Sequence, residues 1–215
     1  MPTVCPTVTA YSDDEYREQM KKIAHMGHRI QIDLTDGQFT KEKTVEAEDS
    51  WWPVGFLADF HLMYKNPMPA IRKILHHRPN LIIVHAESEG NFREVSDFCR
   101  SHSVKLGVAL MPPTPPQKIF SALDDIVHVL IFSGNLGYQG GSQADLKLLD
   151  KVETLKQKNP NLEIGWDGGI NDQNISELVF GGVDVLNVGG YIQKADDPAK
   201  AYSTLERIAE ETGTT

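Results

Sequence analysis

Short apolar runs alternate with longer amphipathic stretches from one end of the chain to the other. The runs Val4–Thr9, Arg29–Leu34, Leu57–Met63, Leu81–His85, Lys105–Leu110, Ile126–Phe132, Leu162–Asp167 and Val183–Val188 read as strands. Between and after them, Asp13–His25, Pro67–His76, Asn91–His102, Pro115–Ala122, Ser142–Lys158, Asp172–Val179 and Pro198–Glu210 carry helical spacing. Thr40–Val54 breaks the alternation: it is charged, ends in Trp51-Trp52-Pro53, and reads as a long loop with one helical turn. Eight strands separated by helices predict a parallel sheet, and eight such units close into a (β/α)8 TIM barrel. An open doubly wound sheet is the alternative that pattern alone leaves standing. No linker, low-complexity tract or repeat interrupts the run, so residues 1–215 are expected to form one domain, with the tail Glu211–Thr215 fraying.

Composition narrows the partners. The length of 215 residues suits one α/β barrel, and a chain of this size buries roughly 70–75% of its unfolded surface without staples. With 21 Lys+Arg against 30 Asp+Glu the net charge is −9, which argues against nucleic acid. The same charge repels anions at long range, so any phosphate site must be local and built from backbone. Cys5 and Cys99 stand far apart without C-x-x-C spacing, which points away from a disulfide framework or structural zinc and towards a reducing cytoplasm. Nothing is long and apolar enough to span a membrane, and the N-terminus lacks a basic segment followed by an apolar one.

The strand ends carry the candidate chemistry, because in such barrels the reactive groups sit where strands give way to βα loops. In Ile30-Gln31-Ile32-Asp33-Leu34 the apolar residues share one face, so Gln31 and Asp33 point into the barrel. Phe60-His61-Leu62 brings His61 in, and Ile164-Gly165-Trp166-Asp167 brings Asp167 in, leaving Trp166 for the helix-facing core. Two carboxylates and a histidine around one pocket suit a metal ion. They also suit proton abstraction beside a carbonyl, one carboxylate taking a proton from one face of a carbon and the second returning it to the other. Each taken singly also fits a hydrogen-bonded interior polar group or a helix cap.

Glycines cluster at the same end. Gly168-Gly169 follow the seventh strand, Gly189-Gly190 the eighth, and Gly137, Gly140 and Gly141 the sixth. Glycine lets backbone N–H groups approach an anion, and a short helix after strand eight would add its positive end. Barrel phosphate sites are typically built by the loops after strands seven and eight. Read blandly, these glycines only serve turns.

Taken in order, these residues resemble the ribulose-phosphate 3-epimerase family. Cys5-Pro6-Thr7-Val8 is similar to its opening strand, and Ile32-Asp33-Leu34-Thr35-Asp36-Gly37-Gln38-Phe39 to its second-strand signature. Asp59-Phe60-His61-Leu62-Met63 with Asn66-Pro67, His85-Ala86-Glu87, Gly107–Pro115 and Asp167-Gly168-Gly169-Ile170-Asn171 resemble its third, fourth, fifth and seventh. The resemblance runs from Val4 to Ile192. It implies D-ribulose 5-phosphate and D-xylulose 5-phosphate as the interconverted pair, and zinc or a similar divalent ion held by two histidines and two aspartates. By position, Asp33 and Asp167 would be the acid/base pair and metal ligands, His61 the second histidine, Thr7 a neighbour of the substrate, and the glycines the phosphate cradle. It also implies a homo-oligomer.

Several positions depart from the family. Gln31 stands where the first histidine ligand belongs, and its amide oxygen is a weaker donor than imidazole. Thr35 replaces a methionine, Gly190 a serine, and Thr40-Lys41-Glu42-Lys43 the usual loop after Phe39. An epimerase acting on this or another ketose phosphate is therefore weighed against a sugar-phosphate-binding barrel without epimerase activity. Barrel decarboxylases and aldolases rank last, since Asp33-Leu34-Thr35-Asp36 lacks their lysine.

The remaining signals are structural. His25, His28, His76, His77, His102 and His128 are assigned to the surface or helix ends, and His85 to orienting a neighbour. Trp51-Trp52 are expected to pack the loop against the barrel, and Cys99 to be a small buried residue.

Overall fold

Parity along each strand decides which of two cores a residue joins. The computed structural model describes residues 1–214, and its eight strands close in sequential order into one parallel barrel. They are β1 (Thr3–Val8), β2 (Arg29–Thr35), β3 (Leu57–Met63), β4 (Leu81–His85), β5 (Lys105–Leu110), β6 (His128–Phe132), β7 (Glu163–Asp167) and β8 (Val185–Val188). Pairing of β1 with β8, through Cys5↔Asn187, closes the sheet and removes the open-sheet alternative. Outward residues such as Ile30, Ile32, Leu34, Phe60, Ile164 and Trp166 are buried in the large core between strands and helices. Inward residues Leu81, Ile83, Ala109 and Leu130 form a separate small apolar cluster, and polar side chains share the remaining interior.

The helices are α1 (Asp13–Ile23), α2 (Met68–Ile74), α3 (Phe92–Ser101), α4 (Leu149–Lys158), α5 (Ile175–Phe180), α6 (Gly190–Gln193) and α7 (Pro198–Gly213). Local chemistry sets their ends. Ser12 caps α1 by accepting from the Glu15 N–H, while the Glu15 carboxylate accepts from the Tyr11 N–H just before the cap. Asn91 caps α3, and Asp197 followed by Pro198 opens α7. The expected turn in Thr40–Val54 is a single 3-10 turn, Ala47–Asp49. Trp52 packs edge-on against Phe60, with ring centres 5.6 Å apart, so that loop is pinned to the outer core.

Four expectations are corrected. Pro116–Ala122 is a 3-10 helix rather than an α-helix, entered through two consecutive prolines. The helix expected from Ser142 begins only at Leu146, as a 3-10 turn leading into α4. Ser142–Asp145 is held as loop because Ser133 Oγ accepts the Asp145 N–H at 2.8 Å. α5 starts at Ile175 instead of Asp172, because Asn174 Oδ1 accepts the Asn171 N–H and its Nδ2 donates to Gly169 O. The C-terminal helix continues to Gly213 where fraying was expected, and Thr215 lies outside the described residues.

His128 is also corrected: it is 1% exposed and inward-facing, not on the surface. Its Nδ1 lies 2.7 Å from Glu163, which Arg29 grips with both terminal nitrogens at 2.8 Å. Arg29 also bonds Asp59 at 2.6 Å, so a charged network closes the barrel at the end away from the glycines.

Candidate active site

The carboxyl groups of Asp33 and Asp167, from β2 and β7, meet through one side chain. Gln31 Nε2 donates to Asp33 Oδ1 at 2.9 Å and to Asp167 Oδ2 at 2.6 Å. His61 Nδ1 lies 3.0 Å from Asp33 Oδ1 and 3.7 Å from Asp167 Oδ2. Donor atoms of Asp33, His61 and Asp167 all fall within 4.8 Å of one another, the spacing of a cation site. Thr9 Oγ1 donates to the other oxygen of Asp33 at 2.7 Å and fixes its rotation.

Burial dominates the electrostatics. Removal from water raises both carboxyls to about 7, and for Asp167 the nearby Asp33 charge adds to the rise. The same burial lowers His61 to about 4, keeping its imidazole neutral. His85, likewise lowered by burial to about 4, places its Nε2 2.8 Å from His61 Nε2 and its Nδ1 3.3 Å from Glu87 Oε2. Glu87 is fixed in turn by the Met111 N–H and the Thr114 hydroxyl. A carboxylate only accepts, so neutral His85 carries its hydrogen on Nδ1 and accepts at Nε2 from His61. His61 Nδ1 then turns a lone pair towards the two aspartates, which is how a ligating histidine is presented.

A cavity of about 250 Å³ opens above the pair. Asp33, Asp167, Thr7 and Thr9 form one end, and Gly140, Gly141, Gly168, Gly169, Gly189 and Gly190 line the other with Lys194. Gln139 ties the sixth loop over the barrel, its Nε2 donating to Thr7 O at 2.9 Å and Gln19 Oε1 at 3.0 Å. The sequence-derived residues thus assemble around one hollow, with three exceptions. Gly137 stands apart, its N–H directed at Met63 Sδ and its carbonyl taking the Tyr11 hydroxyl. His61 and Gln31 lie beneath the carboxylates, outside the cavity lining.

Sequence reasoning missed Thr9, Lys194 and Asn187. Thr9 shares parity with Thr7, and that alternation was the available signal. Asn187, 3% exposed, lines the cavity from β8, two residues before Gly189 on the same face. Lys194 closes α6 in a segment whose only signal was its glycines.

The raised carboxyls make stability fall with pH. Folded Asp33 and Asp167 bind protons more tightly than the unfolded chain, so between about pH 4 and about 7 the folded state holds more protons and loses stability as pH rises. In metal-free protein, Asp167→Asn should raise the thermal midpoint above pH 7 by at least about 5 °C and leave it nearly unchanged at pH 4. A gap of equal size at both pH values would contradict burial as the cause.

Comparison with known proteins agrees with this architecture. The model of the ribulose-phosphate 3 epimerase family matches residues 3–193. A ribulose-phosphate 3-epimerase of Helicobacter pylori is 31% identical over 185 residues, covering 83% of this chain and 85% of that protein. The enzyme of the same name from Bacillus subtilis is 29% identical over 184 residues, covering 82% and 84%. Among solved structures, 3-hexulose-6-phosphate synthase from Salmonella typhimurium superposes with a TM-score of 0.74 at 13% identity, covering 97% of this chain and 99% of that one, a likeness of fold.

Proposed function

The chain belongs to the ribulose-phosphate 3-epimerase family, and on that premise we propose that it inverts C3 of D-ribulose 5-phosphate to give D-xylulose 5-phosphate, with Asp33 and Asp167 as the proton-transfer pair. One observation carries the reading: two buried carboxyls, both raised to about 7, stand together at one end of a cavity that seven glycines also line. A carboxyl with a pKa near the working pH serves equally as base when ionised and as acid when neutral. The ionised member takes the C3 proton from one face, and the C3–H electron pair moves into an enediolate. The neutral member gives its proton to C3 from the opposite face, and the two have then exchanged protonation states.

Thr9 and Gln31 hold the carboxyls for this exchange. Backbone N–H groups of Gly168, Gly169, Gly189 and Gly190, with the Lys194 ammonium, take the phosphate and fix C3 between the aspartates. That local cradle answers the net charge of −9, which gives no long-range attraction for an anion.

The residues present fit a divalent cation. Asp33, His61 and Asp167 converge, and Gln31 Oε1 is buried without a hydrogen-bond partner. Half a turn of the Gln31 amide exchanges Nε2 for Oε1 and presents a fourth donor atom, an oxygen, in place of the N–H groups that bridge the aspartates. Held there, such an ion would polarise the C2 carbonyl and offset the enediolate charge. Gln31→His replaces the amide with imidazole and is expected to tighten zinc binding on the order of tenfold or more. Chelator competition measures it, and unchanged affinity would remove Gln31 from the ligand set.

A second reading, sugar-phosphate binding without epimerisation, is favoured by the same Gln31 Nε2, which bridges both carboxylates where a cation would stand. Metal content of the purified protein and solvent deuterium exchange at C3 separate the two. Exchange supports epimerisation, and its absence with every divalent ion supplied supports binding alone.

A further inference from the structure

Buried carboxamides are normally paired, and Gln19 follows the rule: its Oε1 accepts the Thr9 N–H at 3.0 Å and its Nε2 donates to Thr9 O at 2.8 Å. Asn187 does not follow it. Neither its Nδ2 nor its Oδ1 has a hydrogen-bond partner, although the residue is 3% exposed. Its place in the barrel says what it waits for. Asn187 is the register partner of Asp167 across β7 and β8, and it lines the cavity. Two residues further along the same face, Gly189 begins the glycine lining of the opposite end.

We propose that Asn187 is a specificity-determining residue that reads the C4 hydroxyl of the ketose phosphate. The inference rests on the epimerase reading, which sets C3 beside Asp167 and the phosphate on C5 at the glycines. C4 then lies between them, along the stretch of wall that Asn187 occupies. A carboxamide offers an acceptor and a donor side by side. Oxygens on adjacent carbons, the C3 and C4 hydroxyls, match that pair, one donating to Oδ1 and the other accepting from Nδ2. A substrate lacking the C4 oxygen leaves one of the two atoms unpaired, and sites that hydrogen-bond a substrate hydroxyl reject analogues without it.

The test compares D-ribulose 5-phosphate with its 4-deoxy analogue. The native enzyme should prefer the hydroxylated substrate by about 100-fold or more in kcat/KM. Asn187→Leu, similar in volume but without polar atoms, should bring the two to within about threefold, mainly by losing activity on the hydroxylated one. Asn187→Ser restores a hydroxyl and should recover part of the preference, which loss of fold would not do. It also serves as the test variant if the leucine variant does not fold. A leucine or serine variant that keeps the full native preference would overturn the proposal. Calorimetric binding of both phosphates reads the ground-state part of that preference. A native protein that binds both and epimerises neither would sink the epimerase reading, while the binding ratio would still decide the role of Asn187.

Discussion

Asp167→Asn is expected to lower kcat/KM for inversion at C3 by about 10³-fold or more. Asparagine matches aspartate in shape, and its Oδ1 can still accept from Gln31 Nε2, so the local structure should survive. What it cannot do is carry the C3 proton. The native carboxyl is raised to about 7 and is present in both protonation states near neutrality, as a group acting as base in one direction and acid in the other must be. The loss should fall on kcat more than on KM, because on the proposed reading the glycine loops hold the far end of the substrate. A fall of less than tenfold would mean that the second proton comes from elsewhere.

The second large effect is on stability. Gly168 has φ +119°, and a Cβ there would stand 2.2 Å from Gly134 N and 2.4 Å from Ser133 C. Both contacts are with backbone, and the Ser133 N–H already binds Asp167 O at 2.6 Å. The loops after β6 and β7 therefore cannot part without dragging Asp167. Gly168→Ala should cost about 3 kcal/mol or more, roughly 6–12 °C in thermal midpoint, and should lower kcat as well. Gly141 supplies the control. Its φ is +84°, but a Cβ there meets nothing within 4 Å, so Gly141→Ala should cost only about 1 kcal/mol of backbone strain. Equal losses would mean that the dihedral, not the close approach, sets the need for glycine.

Alternation made the inward-facing carboxyls legible. In Ile30–Leu34 and Ile164–Asp167 polar and apolar residues take opposite faces, and the structure places Gln31 and Asp33 inward and Ile30, Ile32 and Trp166 in the outer core. His128 stands between Val127 and Val129 as His61 stands between Phe60 and Leu62, and the same parity turns it inward against Glu163 rather than to the surface. Asn187, between the outer-core residues Leu186 and Val188, carries the same signal. Contacts remote in sequence account for the other differences. Ser133 holds Asp145 out of the helix that the spacing of Ser142–Lys158 suggests. The relay from His61 through His85 to Glu87 joins β3, β4 and the loop after it, which the pairing of β3 with β4 brings together.

Deuterium incorporation at C3, followed separately from each epimer in Asp33→Asn and Asp167→Asn, tests the two-carboxylate account most directly. If each aspartate serves one face of the carbon, each variant loses exchange from one epimer and keeps it from the other, the two variants showing opposite patterns. Loss from the same epimer in both variants, or exchange from both epimers in either, would contradict it.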